Sequence, residues 1–318
     1  MNIFNQKHTE RYSIYNGDCV EVMSQIPDES VDYSLFSPPF SNLFTYSNSD
    51  RDMGNSKTDE EFFTHFNFLI KELHRVIKKG RLVSIHCMNI PAMKERDGYI
   101  GIKDFRGDII RAFQKEGFIY HSEVLIFKDP LVEATRTKAL GLMHKQLCKD
   151  SSMSRQGLPD YIVTLRKSGD NEEFIKHEEG FSEYFGSGTF KDGAVLSHEI
   201  WRRYASPVWW DIRQGYTLNH NNAKENIEER HICPLQHDTI NRCLALWSNP
   251  DDIVLTPFMG IGSEIFNAVK MGRKGIGIEL KESYFNCAIA HMEKALDVHI
   301  NGEPKSMSIE DFMGDNDD

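Results

Sequence analysis

Two consecutive prolines, Pro38 and Pro39, close an apolar run that reads Val31-Asp32-Tyr33-Ser34-Leu35-Phe36. Proline fixes φ and removes a backbone donor, so neither a helix nor a sheet ladder continues through the pair. The run is therefore expected to be a strand that stops and turns sharply at Ser37. It presents there a hydroxyl, backbone carbonyls and the ring of Phe40. Hydroxyl and carbonyl oxygens accept from an amino group, and an aromatic ring offers a face for stacking. The set suits a flat base carrying an exocyclic amine. A purely structural turn makes the same demand on the prolines, and the tetrapeptide alone does not separate the two readings.

A second turn far downstream narrows the choice. Asp252-Ile253-Val254-Leu255 reads as a strand, Thr256-Pro257-Phe258-Met259-Gly260-Ile261-Gly262-Ser263 as a turn, and the residues to about Lys270 as a helix. The next strand, Gly275-Ile276-Gly277-Ile278-Glu279, ends in an acid about twenty residues past the glycines. Two glycines let backbone approach a ligand without Cβ interference. Open α/β sheets bind small molecules at the carboxyl ends of their strands, and an acid placed like Glu279 commonly accepts from ribose hydroxyls. The order strand, turn, helix, strand, acid describes a nucleoside pocket. No Gly-Lys-Ser/Thr follows, which excludes a Walker loop, and the third glycine of the dinucleotide fingerprint is missing.

The rest of the chain alternates strands and helices. A strand is expected at Arg11–Tyr15 and a short helix through Val20, Val22, Met23 and Ile26. Residues 41–58 read as a polar loop. A longer helix opens at the cap Thr58 with Glu61 three residues on, keeps helical spacing from Phe62 to Ile77, and closes at Lys78-Lys79-Gly80. Further strands are expected at 81–86, 121–127 and 160–166, and helices at 105–116, 239–247 and 283–296. Residues 129–158 show little periodicity, and 168–200 read as a mostly irregular insert. Trp209 and Trp210 are expected to pack in the core or on the cofactor side. Alternation of this kind predicts an α/β fold with a mainly parallel sheet.

Bulk properties exclude several classes. No apolar run in the 318 residues approaches the roughly 20 of a membrane span, and the N-terminus lacks the features of a secretory signal. The six cysteines are scattered with no C-x-x-C pair, so neither a disulfide framework nor a metal site is expected, and a cytoplasmic location fits. The net charge of −11 opposes nucleic-acid binding when taken globally. Its distribution does not: Arg136, Lys138, Lys145, Lys149, Arg155, Arg166 and Lys167 face only Asp150 and Asp160 within 134–167, while 302–318 is strongly acidic. A solvated surface carries charge runs too, so this asymmetry leaves a nucleic-acid partner open without requiring one.

Ser37-Pro38-Pro39-Phe40 resembles the (Asp/Ser/Asn)-Pro-Pro-(Tyr/Phe/Trp) signature of amino-methyltransferases, and Phe258-Met259-Gly260-Ile261-Gly262-Ser263 resembles their Asp-Pro-Phe-x-Gly-x-Gly-Thr element. Thr256 stands where that element has its acid, and Ser263 where it ends in threonine. His231-Ile232-Cys233-Pro234-Leu235-Gln236 is similar to the His-Pro-x-Pro-Phe-Pro element, and Gly17-Asp18 also recurs in the family. With the Pro-Pro element first and the glycine element last, the order resembles the β group of amino-DNA methyltransferases, from about Tyr12 to Leu296.

The resemblance implies a Rossmann-like methyltransferase fold with a mainly parallel seven-stranded sheet and an inserted target-recognition region. It implies a catalytic half at 1–128, a DNA-contact and recognition insert at 129–225 containing one sheet strand near 160–166, a cofactor half at 226–300, and an acidic, disordered tail at 301–318. The implied cofactor is S-adenosyl-L-methionine, held by Asp18, Cys19, Ser37, His231, Pro234, Leu235, Phe258, Gly260, Gly262, Ser263 and Glu279. Ser37, Pro38, Pro39 and Phe40 would carry catalysis on a base flipped out of double-stranded DNA. Arg136, Lys138, Lys145, Lys149 and Arg155 would contact that DNA. In the family a serine at the first motif position goes mostly with cytosine N4 and aspartate with adenine N6, so Ser37 favours N4. Adenine N6, an RNA or protein amine as acceptor, and a catalytically inactive DNA-binding relative are the alternatives. Cytosine C5 methylation would need a Pro-Cys thiolate, and the chain offers only Cys233-Pro234. A monomer or a homodimer is expected.

Overall fold

The computed structural model describes residues 3–40, 53–56, 58–92, 94–178, 180–181, 193–219 and 234–301. Its strands are β1 (Ile3–His8), β2 (Tyr12–Gly17), β3 (Val31–Phe36), β4 (Ile77–Met88), β5 (Ile90–Ala92), β6 (Gly101–Lys103), β7 (Phe118–Ile126), β8 (Asp160–Lys167), β9 (Val208–Trp209), β10 (Ile253–Thr256) and β11 (Lys274–Glu279). Its helices are α1 (Cys19–Met23), α2 (Asp59–Val76), α3 (Lys94–Asp97), α4 (Phe105–Lys115), α5 (Pro130–Thr137), α6 (His144–Lys149), α7 (Gly193–Tyr204), α8 (His237–Trp247), α9 (Ser263–Lys270) and α10 (Glu282–Asn301).

Among the described residues the main sheet has nine strands in the order β1-β2-β11-β10-β3-β4-β8-β7-β9. The five from β2 to β4 run parallel, β8 runs antiparallel to both β4 and β7, and β9 adds parallel to β7. The expected seven strands thus form the centre. The two additions are edge strands: β1 pairs antiparallel with β2, and the two-residue β9 pairs with the end of β7. β5 and β6 make a separate hairpin.

Helices cover both faces. On one, α1, α2 and α4 pack against residues such as Phe36, Val83 and Ile85; on the other, α8, α9 and α10 cover Tyr33, Leu35, Val254 and Ile14. β3 is buried along its whole length, which explains why it reads as a continuous apolar run rather than an alternating one. α2 begins where Thr58 accepts from the Glu61 N–H at 3.1 Å, and it buries Phe62, Phe66, Leu69, Ile70, Leu73 and Val76 completely. Each such side chain contributes about 1.5–3 kcal/mol relative to exposure.

Three local expectations change. Lys78-Lys79-Gly80 does not close α2: the helix stops at Val76, and these residues already belong to β4. Ile77 pairs with Val31 of β3, and Gly80, at φ +72°, lies where the β3–β4 register shifts. Residues 129–158 are not a plain loop, because α5 and α6 lie within them. Asp129 caps α5 by accepting from the Leu131 and Val132 N–H groups, with Pro130 in its first turn. The two tryptophans also part company. Trp209 is 1% exposed, whereas Trp210 is 66% exposed and lies 4.8 Å from the Phe127 ring. The tail and residue His231 lie outside the described residues.

Candidate active site at the carboxyl ends of the strands

Register brings the two turns together. Ser34 of β3 pairs with Leu255 of β10, and Ser34 Oγ donates to the Leu255 carbonyl at 2.9 Å. Three residues beyond that pair, Ser37 leaves β3 and Phe258 leaves β10, side by side. The rings of Phe36 and Phe258 have centroids 5.8 Å apart. On the other flank β11 pairs with β2, setting Glu279 opposite Asn16. Asp18, Glu279, the glycine turn and Ser37 therefore sit on one rim of adjacent parallel strands.

The cofactor edge is made mostly of backbone. Gly260 has φ +54°, and a Cβ built there would meet nothing within 4 Å. Gly262 begins α9 at φ +95°, where a Cβ would lie 2.9 Å from Met292 Cε. The first glycine faces open space, and the second permits helix packing. The Gly260 N–H donates to Glu279 Oε2 at 2.7 Å, and the Lys281 N–H donates to Oε1 at 2.8 Å. Asp18 caps α1 through Oδ1, which accepts from the Val20 and Glu21 N–H groups. Thr256 Oγ1 and Ser263 Oγ are buried with no hydrogen-bond partner among the described residues, as are both amide atoms of Asn241 on α8. Such orphans are rare in a finished core. Open space over Gly260 and unpartnered hydroxyls on both sides of the turn fit a polar ligand. Leu235 is buried in the core under α8 and Pro234 is half-buried at its entrance. Cys19 is buried, and desolvation pushes its thiol far up, so it is a packing group and not a nucleophile.

The opposite edge is made of side chains. Pro38 and Pro39 are buried, Ser37 and Phe40 half-buried, and the Phe40 ring rests against Phe105 of α4 with centroids 6.1 Å apart. Ser37 Oγ lies 2.9 Å from His86 Nδ1 on β4. His86 Nε2 lies 3.1 Å from Asp160 Oδ2 at the head of β8, and Asp160 Oδ1 accepts from Lys128 Nζ at 2.5 Å. Burial alone would raise the Asp160 carboxyl; His86 and Lys128 together outweigh it and hold the group below its ordinary value. Sequence reasoning missed His86, Asp160 and Lys128 as site residues. An acid opening the apolar run Tyr161-Ile162-Val163 was the available signal. Glu264, in the first turn of α9, was also missed: burial raises its carboxyl to about 8.

The basic residues divide. Lys138 ends α5 in the left-handed conformation and is exposed, as are Lys145 and Lys149 on α6. Arg136 lies in α5. Arg155 is half-buried and bonded internally, donating to Glu133 Oε1 and to the Gln156 carbonyl, while Glu133 Oε2 accepts from the Leu158 N–H. Its role in this arrangement is to hold the segment together.

The model of the N6_N4_Mtase family, described as DNA methylase, matches residues 31–290. The chain belongs to this amino-DNA methyltransferase family. Among its relatives is the type II methyltransferase M.BamHI of Bacillus amyloliquefaciens, 28% identical over 288 residues, which cover 89% of this chain and 56% of M.BamHI. The chain thus spans little more than half the length of that relative. Two solved structures share the fold at TM-score 0.63 and 18% identity. PvuII DNA methyltransferase, which is cytosine-N4-specific, is matched over 95% of this chain and 98% of its own. TTHA0409 of Thermus thermophilus, complexed with S-adenosyl-L-methionine, is matched over 90% and 96%. No described helix is long and apolar enough to cross a membrane.

Proposed function

We propose that this protein transfers a methyl group from S-adenosyl-L-methionine to the exocyclic amine of a base in double-stranded DNA, with cytosine N4 as the acceptor. The observation that carries the reading is the pairing of β3 with β10, which sets the Ser-Pro-Pro-Phe turn beside the glycine turn. Glu279, Asp18, the Gly260 backbone and the unpartnered hydroxyls of Thr256 and Ser263 are the groups that would hold the cofactor. When bound, it supplies an electrophilic methyl group. Pro234 and Leu235 would form part of the same wall.

The lone pair of an exocyclic amine is conjugated into its base and is a poor nucleophile. Ser37 Oγ and the Pro38 carbonyl accept hydrogen bonds from the amine, which draws the nitrogen toward sp³ and frees the pair. Phe40, backed by Phe105, offers a stacking face to the extruded base. The rate gain comes from placement and fixed dipoles, with no covalent enzyme intermediate. Ser37 in the first motif position supports cytosine N4 over adenine N6. Lys138, Lys145, Lys149 and Arg136 are the groups that would meet DNA phosphates.

The test is nucleoside mass spectrometry of DNA incubated with the protein and S-adenosyl-L-methionine. N4-methylcytosine is expected. N6-methyladenine alone would transfer the assignment to adenine, and label entering only RNA or protein would overturn the DNA reading.

A further inference from the structure

The chain Ser37–His86–Asp160–Lys128 has a direction. Asp160 is nearly fully buried, and His86 and Lys128 favour its ionised form, so it can only accept. His86 Nε2 lies 3.1 Å from this carboxylate, outside hydrogen-bond geometry, and the negative charge there favours the tautomer with its proton on Nε2. Nδ1 is then a lone pair, and Ser37 Oγ–H donates to it. With its proton turned toward His86, Ser37 Oγ faces outward as an acceptor. The charged groups that meet the imidazole among the described residues are Asp160 on β8 and, behind it, Lys128 at the end of β7; Ser37 on the β3 side is neutral.

Amine methylation creates a proton that must leave. The C–N bond forms as the S–C bond breaks, and the electron pair of that bond stays on sulfur. The nitrogen is left with a positive charge and sheds one proton. We infer that His86 is the terminus for this proton: the amine gives it to Ser37 Oγ, Ser37 passes its own hydroxyl proton to His86 Nδ1, and Asp160 stabilises the imidazolium until water removes the proton. This rests on the methyltransferase reading above. His86 touches the substrate only through Ser37 and is a positioning residue. The antiparallel entry of β8 makes the arrangement possible, because it places the first residue of β8 beside the last residues of β4 and β7, where Asp160 pairs with Met88 and Ile126.

The experiment is single-turnover methylation of duplex DNA by a preformed protein–cofactor–DNA complex, followed across the range in which imidazoles titrate. The wild-type rate should fall as pH drops, since protonated His86 accepts nothing further. His86→Asn should lower the rate about 100-fold or more and abolish the acidic limb, with dissociation constants for S-adenosylhomocysteine and DNA changed less than about threefold. In a protein that already lacks the Ser37 hydroxyl, His86→Asn should lower the rate little further, because His86 acts only through Ser37. Asp160→Asn keeps the imidazole but loses its counter-charge, and should move the acidic limb to lower pH. A wild-type profile flat through that range overturns the inference without any variant, as does a His86→Asn protein that keeps both rate and limb. If the wild-type protein moves no label to DNA while binding the cofactor, the functional reading fails instead.

Discussion

Both rims of the same sheet bury charge, and they do so in opposite ways. At the amino ends of the strands Arg81, 1% exposed, reaches Asp252 at 3.1 Å and Asp32 at 3.4 Å. Lys78 adds contacts of 2.8 Å to Asp32 and 3.0 Å to Glu173, and Asp32 also accepts from the Ile253 N–H. Asp32, Glu173 and Asp252 come close enough to hold a cation, but two side-chain cations of the protein itself already fill that role. At the carboxyl ends the opposite holds. Among the described residues Thr256, Ser263 and Asn241 keep unpartnered polar atoms, Glu264 is a buried acid bonded only to its own backbone N–H, and space lies open over Gly260. Charge density alone does not locate a site. At the amino ends the charges neutralise one another, while at the carboxyl ends a paired cluster, Ser37–His86–Asp160–Lys128, lies beside buried polar atoms that have no partner among the described residues.

Substitutions can break this contrast. The largest effect is expected at the satisfied rim: Arg81→Met leaves Asp32 and Asp252 facing each other without their shared cation and should cost about 3–5 kcal/mol in denaturant unfolding. The affinity of the folded fraction for S-adenosylhomocysteine should be untouched. At the open rim Glu264→Gln should do the reverse. The folded pKa of Glu264 is raised, so its favourable protonated state is intact below the unfolded value and is lost as pH rises through about 8. The glutamine variant should match wild type in acid and exceed it by roughly 2–4 kcal/mol above that pH, as read by unfolding at several pH values.

Gly260→Ala sharpens the contrast differently. Its φ of +54° makes alanine cost about 1–2 kcal/mol, and the new methyl occupies the open space over the turn. Cofactor affinity by calorimetry should fall tenfold or more, while Gly262→Ala, blocked by Met292 and Ala288, should chiefly destabilise. The smallest effect belongs to the surface: Lys145→Glu with Lys149→Glu should weaken DNA binding in low salt and reduce the salt slope by about 2. Arg155→Glu should instead lower stability, because Arg155 is already bonded to Glu133.

What can be read from the sequence is what each segment does alone. Pro38 and Pro39 end a strand whatever surrounds them, and Gly260 and Gly262 mark a turn by conformation. The strand that Asp160 opens is also legible. Its partners are not, because His86 lies on β4, Asp160 on β8 and Lys128 just past β7, and the adjacency of these strands depends on sheet order. Lys78-Lys79-Gly80 carries the composition of a helix end, yet pairing of Ile77 with Val31 draws the chain into β4 first. Asp129-Pro130 reads as a strand stop and is also a helix start, since a capping acid followed by proline serves both ends of a turn. Trp210 lies beside Trp209 in sequence, but β9 ends at Trp209, which is buried, while Trp210 just past it is exposed.

The contact between Lys128 and Asp160 has a consequence for how the segment between them could vary. These two residues flank everything from 129 to 159, and their ion pair closes the end of the β7–β8 ladder from which that excursion leaves. A ladder end fixed in this way makes what lies beyond it interchangeable. Closure entropy grows only slowly with length, and a longer or shorter graft between the same two residues would leave the chemistry behind it undisturbed.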